Sequence, residues 1–247
     1  MHSVSCVCLT YRRTELLGES IESFLRQDFQ GKKELIILND EPEQEIVFDH
    51  PDVLVVNLKE RLPTVGEKRD FAINISNNDY IFPWDDDDVM LPNRISHSMR
   101  NVEESNLDAY KLSACFTLNG DKVVDHISFH GGLYGSCCFS RKKYDQTDGH
   151  PKLNTGEDSG FESRLYSIKG IKNKNDCSAK LVDDIYYIYR WGGVRYHVST
   201  LNNEKALQLI NERTKDFEKG KIEIKSYWKH NYVDMCKKVV EKYKANN

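Results

Sequence analysis

Four consecutive aspartates, Asp85-Asp86-Asp87-Asp88, are the residues of this sequence best suited to chemistry. Like charges so close repel, and an ordered run therefore needs compensation. A hard divalent cation supplies it: Mg²⁺ or Mn²⁺ takes one or two carboxylates and completes its shell with water and phosphate oxygens. An isolated run of this kind reads as a solvated acidic loop. Here Ile81-Phe82-Pro83-Trp84 precede it and Val89-Met90-Leu91 follow, which places it at a buried strand end. An EF-hand loop is excluded, because the sixth position counted from Asp85 is Met90 rather than glycine and the twelfth is Ser96 rather than glutamate. Glu157-Asp158 forms a second acidic pair after Asn154-Thr155-Gly156. It opens a predicted helix, where acids also serve simply to complement the helix dipole. Two more polar groups follow apolar stretches, Thr10-Tyr11-Arg12-Arg13 and Asp40-Glu41. Asp40 suits a hydrogen bond from a base with a ring N–H, as in uracil or thymine, and Tyr11 suits the face of that base.

These groups need elements to hold them. Val4–Thr10 reads as a short apolar strand, and residues 14–27 show helical spacing at Leu16, Leu17, Ile21, Phe24 and Leu25. Strands follow at 34–39 and 53–58. Thr64-Val65-Gly66-Glu67 is a capping box opening a helix through Ile75. Residues 80–84 form a fourth strand, and Pro92 starts another helix at a position proline tolerates. This order predicts an α/β fold with a mostly parallel central sheet flanked by helices on both faces. Three of the four strands end in the polar groups named above, along the edge where such sheets bind ligands. Further strands are expected at 110–118, 123–129, 133–140 and 184–190, and a helix at 157–168. Gly192-Gly193 then makes a turn, and two helices end the sequence. The expected organisation is a domain over 1–200, with a donor-binding half at 1–100 and an acceptor half at 101–200. A helical C-terminal extension follows at 201–247.

Composition narrows the field. Apolar residues make up 39% and aromatics 11% of the 247 residues, enough for a sizeable core and against wholesale disorder. The start, Met1-His2-Ser3-Val4, lacks a basic signal-peptide region, and no run approaches the roughly 18 apolar residues of a membrane span. A cytoplasmic protein is expected, in the host cytoplasm if its source is viral. The seven cysteines contain no C-x-x-C and read as reduced, buried thiols; Cys6 and Cys8 share one strand face. A net charge of −4 argues against a protein devoted to nucleic-acid backbone. Residues 219–247 carry eight lysines against three acids, which reads first as a solvated helical face and second as a docking surface for an anionic acceptor or membrane.

Taken together, these residues resemble the family 2 glycosyltransferases, with their A-type nucleotide-sugar fold. VSCVCLTYRR is similar to the family's first strand and its Thr-Tyr-Asn-Arg type of ending, and LIILND to the strand that ends in the base-binding aspartate. GEKRDFAIN resembles the Gly-x-x-x-Arg-x-x-x-x-Asn helix, WDDDDVMLPNRI the Asp-x-Asp metal motif with its trailing proline, and GEDSGF the acceptor-side Glu-Asp motif. The resemblance covers roughly residues 4–200. It implies that Thr10, Tyr11 and Asp40 hold the nucleoside, with Arg13 and Arg69 reaching the nucleotide sugar. Asp85 and Asp86 then lie near the ribose and metal, and Asp87 binds Mn²⁺ or Mg²⁺ directly, with Asp85 and His197 as further metal contacts. Asp158 becomes the catalytic base and Glu157 its acceptor-side neighbour. Residues 126–140 and the loop from Arg190 and Trp191 to His197 shape the acceptor site. Leu9 stands where proline is usual, Arg12 where asparagine is usual, and Tyr187 replaces the glutamine of the Gln-x-x-Arg-Trp motif of processive synthases. Transfer of a single sugar is therefore expected rather than polymerisation.

The expected activity is that of a metal-dependent inverting hexosyl- or pentosyltransferase using a UDP-sugar. Its default acceptor is a glycan or lipid-linked saccharide, and the alternative is a phage-type transfer to modified DNA bases. A nucleotidyltransferase fits poorly, since no glycine precedes Gly18 where a triphosphate loop belongs. An inactive nucleotide-binding module and a metal-dependent hydrolase complete the field. Oligomeric state is not legible in the sequence.

Overall fold

A computed structural model describes residues 2–119, 122–129, 134–191 and 203–247. In chain order the first elements are β1 (Val4–Thr10), α1 (Leu17–Leu25), β2 (Lys33–Asn39), β3 (Gln44–Val47), β4 (Val53–Asn57), α2 (Val65–Ile75) and β5 (Tyr80–Pro83). Then come β6 (Val89–Met90), α3 (Arg94–Ser105), β7 (Ala109–Leu112), β8 (Ala114–Asn119), β9 (Lys122–Phe129), β10 (Cys137–Ser140), α4 (Arg141–Tyr144) and α5 (Glu157–Tyr166). The remainder is β11 (Asn173–Asp176), β12 (Tyr187–Trp191), α6 (Asn203–Arg213), β13 (Gly220–Glu223) and α7 (Tyr232–Ala245).

The main sheet has seven strands in the order β11-β7-β10-β5-β1-β2-β4. β1 pairs in parallel with β2 and β5, β2 with β4, and β11 with β7, while β10 alone runs against its neighbours. A mostly parallel sheet is thus present, as the strand and helix order predicts. Residues along β1 alternate between two cores. Val4, Cys6 and Cys8 point to a cluster built with α1, α3 and α7, and Val7 to one built with α2 and α5. Cys6 and Cys8 share a face, and every cysteine but the exposed Cys177 is a buried free thiol. A smaller sheet, β6-β12-β8-β9, carries the acid run's far side, and β13 pairs with β3.

Several expectations shift. The strand expected over 110–118 is two, broken at Ser113, because β7 belongs to the main sheet and β8 to the smaller one. The stretch expected as a strand from 133 opens with a 3-10 turn, Tyr134–Ser136, before β10. Pro92 precedes the helix rather than starting it, and Asn93 is the N-cap of α3. The tail holds a short strand, β13, between its two helices. The Thr64 cap is as expected, its hydroxyl accepting the Glu67 N–H at 3.2 Å. Among the described residues no helix is long and apolar enough to cross a membrane.

α7 is part of the core. Tyr232, Cys236, Val239 and Val240 face inward, whereas Lys237, Lys238, Lys242 and Lys244 are exposed, a solvated face. The Tyr232 hydroxyl donates to buried Glu19 of α1 at 2.5 Å, and Trp228 Nε1 donates to Ser23 at 3.0 Å. Tyr232→Phe leaves a buried carboxylate oxygen short of a donor and should destabilise the fold by about 1–3 kcal/mol in urea unfolding. An unchanged midpoint would show that α7 is not anchored there.

Candidate active site

Ligands of open parallel sheets sit beyond the carboxyl ends of the strands. The loops after β1, β2 and β5 meet there, bringing Tyr11–Arg13, Asp40–Glu41 and Asp85–Asp88 together. Arg12 takes a left-handed backbone (φ 54°), which is costly for a residue with a Cβ. Its side chain is held in return: Nε bonds Glu41, and the guanidinium lies over Phe217 at 4.2 Å and over Tyr11 at 4.9 Å.

The acid run is neutralised by the chain's own groups, not by a cation alone as its charge suggests. Arg13 forks between Asp86 and Asp87, with Nη1 2.8 Å from Asp87 Oδ2. Tyr187 donates to Asp88 at 2.6 Å and reaches Asp85 at 3.1 Å. Arg190 gives its backbone N–H to Asp88 at 2.7 Å and its Nε–H to the Asp87 carbonyl at 2.8 Å, and its Nη2 meets Glu19 at 3.1 Å. Arg94, fully buried under the run, stacks on Trp84 at 4.6 Å and bonds the carbonyls of Pro83 and Gly135. Asp88 is therefore a structural acid. Arg190, expected at the acceptor, is 4% exposed and braces the run from behind. Trp191 closes β12 beside it, and His197 lies outside the described residues.

Asp85, Asp86 and Asp87, the acids expected at the metal, are each held by a side chain of the fold as well. Asp86 is 2% exposed, and its Oδ2 is a buried oxygen without a hydrogen-bond partner. Burial, with neighbouring Asp87 adding to it, pushes its pKa up to about 6 against the pull of Arg13. Among the described residues no group of three or more His, Cys, Asp or Glu is arranged to hold a metal. One or two carboxylates with an orphaned oxygen still fit Mg²⁺ or Mn²⁺, which take few protein ligands when a phosphate completes the shell.

Beside Arg13 lies a pocket of about 130 Å³ lined by Thr10, Tyr11, Arg61, Leu62, Val65, Lys68, Asn154 and Ile210. Asp40, expected to face a base, is fully buried behind it. Lys68 Nζ sits 2.5 Å from Asp40 Oδ1, and the Leu62 N–H bonds Oδ2 at 3.1 Å. Burial lowers the Lys68 pKa and the Asp40 charge opposes that shift. Tyr11 is already covered by Arg61 at 4.1 Å and Lys68 at 4.7 Å. A larger cavity of about 490 Å³, lined by Leu91, Phe116, Val182 and Val240, lies by α7, away from these groups.

The second acidic pair faces the same site through Arg69. Its Nε–H bonds the buried Glu157 at 3.2 Å. Burial opposes the charge on Arg69, but the carboxylates of Glu157, Asp85 and Asp158 outweigh it and raise its pKa. Asp158 is half-buried in the first turn of α5, its Oδ1 accepting the Ser159 N–H. The loop before α5 also caps α2: Asn154 Oδ1 takes the Val65 N–H at 3.1 Å, and Gly66 lies so close to the Pro151 carbonyl that a Cβ would collide with it.

Of the residues singled out in the sequence, Thr10, Tyr11, Arg13, Asp40, Arg69, Asp85, Asp86, Asp87, Glu157 and Asp158 gather at the strand ends. Lys68, Arg61, Arg94 and Glu19 went unnoticed, and Tyr187 stood out only as a departure from the synthase motif, not as a partner of Asp88. Glu19 carries no signal in the sequence, since it lies two residues from both Leu17 and Ile21, off their apolar stripe on α1, and is buried by its partners Arg190 and Tyr232.

The family model described as glycosyl transferase family 2 matches residues 5–170. An uncharacterized glycosyltransferase of Methanocaldococcus jannaschii is 33% identical over 109 residues, a match spanning 41% of this chain and 38% of that protein. Among solved structures, residues 1–349 of TarS from S. aureus in complex with UDP-GlcNAc superpose with a TM-score of 0.63 at 15% identity, covering 88% of this chain and 68% of that one. The mannosyltransferase of Pyrobaculum calidifontis in complex with GDP-Man and Mn²⁺ gives 0.57 at 13% identity, covering 89% and 66%. These likenesses place the main sheet and its helices in the A-type glycosyltransferase fold.

Lys68→Met strands the buried Asp40 carboxylate and should destabilise the protein by about 3–5 kcal/mol in urea unfolding, with part regained in the Lys68→Met/Asp40→Asn double variant. Equal stability of the single variant and wild type would mean that the pair is not desolvated.

Proposed function

The chain belongs to glycosyl transferase family 2, and from that membership we propose that it is a metal-dependent inverting glycosyltransferase using a nucleotide-diphosphate sugar. One observation carries the reading: Arg69 stands between the acid run and the Glu157-Asp158 pair, its charge held by acids of both. A donor side and an acceptor side thereby share one cleft. UDP is the preferred carrier, because a pocket of about 130 Å³ beside Tyr11 and Lys68 suits a single-ring base. The neighbours bound to UDP-GlcNAc and to GDP-Man with Mn²⁺ agree with a sugar nucleotide and a divalent ion. The default acceptor is a hydroxyl of a glycan or lipid-linked saccharide, and nothing in the exposed lysines of α7 favours DNA over it.

Asp87, with Asp85 or Asp86, would hold Mn²⁺ or Mg²⁺. The ion supplies Lewis-acid neutralisation of the leaving diphosphate. Arg13 keeps Asp86 and Asp87 in place, and a phosphate arriving beside them would meet Arg61 at the edge of the pocket. Asp158 takes the proton of the acceptor hydroxyl as its oxygen bonds the anomeric carbon and the bond to the diphosphate breaks. Attack opposite the leaving group inverts that carbon. Arg69 engages Glu157 through its Nε–H, leaving Asp158 as the base.

A panel of sugar nucleotides with Mn²⁺, scored by nucleotide release and followed by acceptor trials, tests the reading; no release from any of them would refute it. Asp158→Asn should bind the donor normally yet lose transfer by about 10²–10⁴-fold, and near wild-type turnover would remove Asp158 from its role. Asp87→Ala should abolish the Mn²⁺ dependence of UDP binding in calorimetry. If UDP still binds more tightly with Mn²⁺ than without, the ion sits elsewhere.

A further inference from the structure

Next to the two acidic groups the fold buries a polar chain that the proposed reaction does not use. His150 is 2% exposed, and both its ring nitrogens are engaged. Nδ1 lies 2.7 Å from Asp70 Oδ1, and the Tyr134 hydroxyl lies 2.7 Å from Nε2. Asp70 also accepts the His150 backbone N–H at 3.0 Å and the Tyr144 hydroxyl at 2.8 Å. An ionised carboxylate only accepts, so Nδ1 carries the proton and Nε2 is left to accept from Tyr134. Burial lowers the imidazole pKa, which favours this neutral form. Burial alone would raise the pKa of Asp70, but its bonds to His150 and Tyr144 prevail and lower it. The imidazole stacks on Phe161, with centroids 4.1 Å apart and planes at 18°.

A buried histidine satisfied by Asp70 and Phe161 would need no more. What sets this one apart is the tyrosine on its other nitrogen. The Tyr134 ring carries the Arg69 guanidinium at 4.9 Å, and Arg69 holds Glu157 beside Asp158. Tyr134 also opens the 3-10 turn whose next residue, Gly135, lies against Asp85 so closely that a Cβ would strike Oδ2. Arg69 and Asp70 are adjacent on α2, so the path Asp70–His150–Tyr134–Arg69 closes on itself.

We propose that His150 is a positioning residue: acting through Tyr134, it fixes the Arg69–Glu157 pair beside Asp158 and the turn that borders Asp85. Its kinetic consequence rests on the glycosyltransferase reading, whereas its geometric consequence does not. Tyr134→Phe deletes only the hydroxyl, and His150→Phe cuts both hydrogen bonds while keeping a ring over Phe161. In the full chain, the Arg69 Nε–H should be protected from hydrogen exchange in the wild type and lose protection about tenfold or more in both variants. With a sugar nucleotide that the wild type turns over in Mn²⁺, kcat should fall about tenfold while the donor KM stays put.

Unchanged Arg69 protection in both variants overturns the proposal, even if they melt at lower temperature, because His150 is then packing alone. Lost protection with kcat intact overturns it as well. If the wild type turns over no sugar nucleotide, the functional reading fails, and the Arg69 signal by itself decides whether the chain positions the pair.

Discussion

Acidic side chains in four successive positions at a buried strand end stay ordered only if each meets its own donor or cation. That requirement accounts for much of what surrounds Asp85–Asp88. The loop after β1 supplies Arg13 to two of the acids, and β12 supplies the Tyr187 hydroxyl and the Arg190 backbone N–H to Asp88. Arg190 in turn needs Glu19 from α1, and Glu19 takes Tyr232 from α7. Residues from opposite ends of the chain are thus bound to one loop. Asp88 is satisfied from within the fold, while Asp86 keeps a buried oxygen without a hydrogen-bond partner.

The same economy appears around α2. Lys68 and Arg69 are consecutive, yet one points to Asp40 behind the pocket of about 130 Å³ and the other to Glu157 at the start of α5. A single helix therefore braces both Asp40 and Glu157, and the loop carrying Asn154 caps its first turn. The Gly66 contact with Pro151 shows how tightly loop and helix are joined. Groups on such a shared support keep their relative geometry without a hinge.

Much of this was legible in the sequence because period and position carry it. The short apolar run Val4–Thr10, the capping box at Thr64 and the apolar flanks of the acid run each fix local structure, and local structure puts Tyr11, Asp40 and Asp85–Asp88 on one edge. Long-range pairing was not legible. Nothing near Asp40 announces that Lys68 will cover it, and nothing near Arg190 announces a partner 171 residues away in Glu19. Arg190 before Trp191 reads as an acceptor-site residue, and only the packing of β12 against β6 and β8 buries it. The break at Ser113 escaped for a related reason: one apolar stretch feeds two sheets, and periodicity does not say where it changes allegiance.

The bond between Glu19 and Tyr232 spans 213 residues of chain, and this bears on the order of events during synthesis. Domains begin to fold while the ribosome is still adding residues. The first strands and α1 emerge early with Glu19 bare, and the brace behind the acid run is incomplete until the segment bearing Tyr232 has left the exit tunnel. A nascent chain thus presents its carboxylates before their supports arrive. Completion of the brace is set by translation of the segment bearing Tyr232 rather than by the first appearance of the acid run.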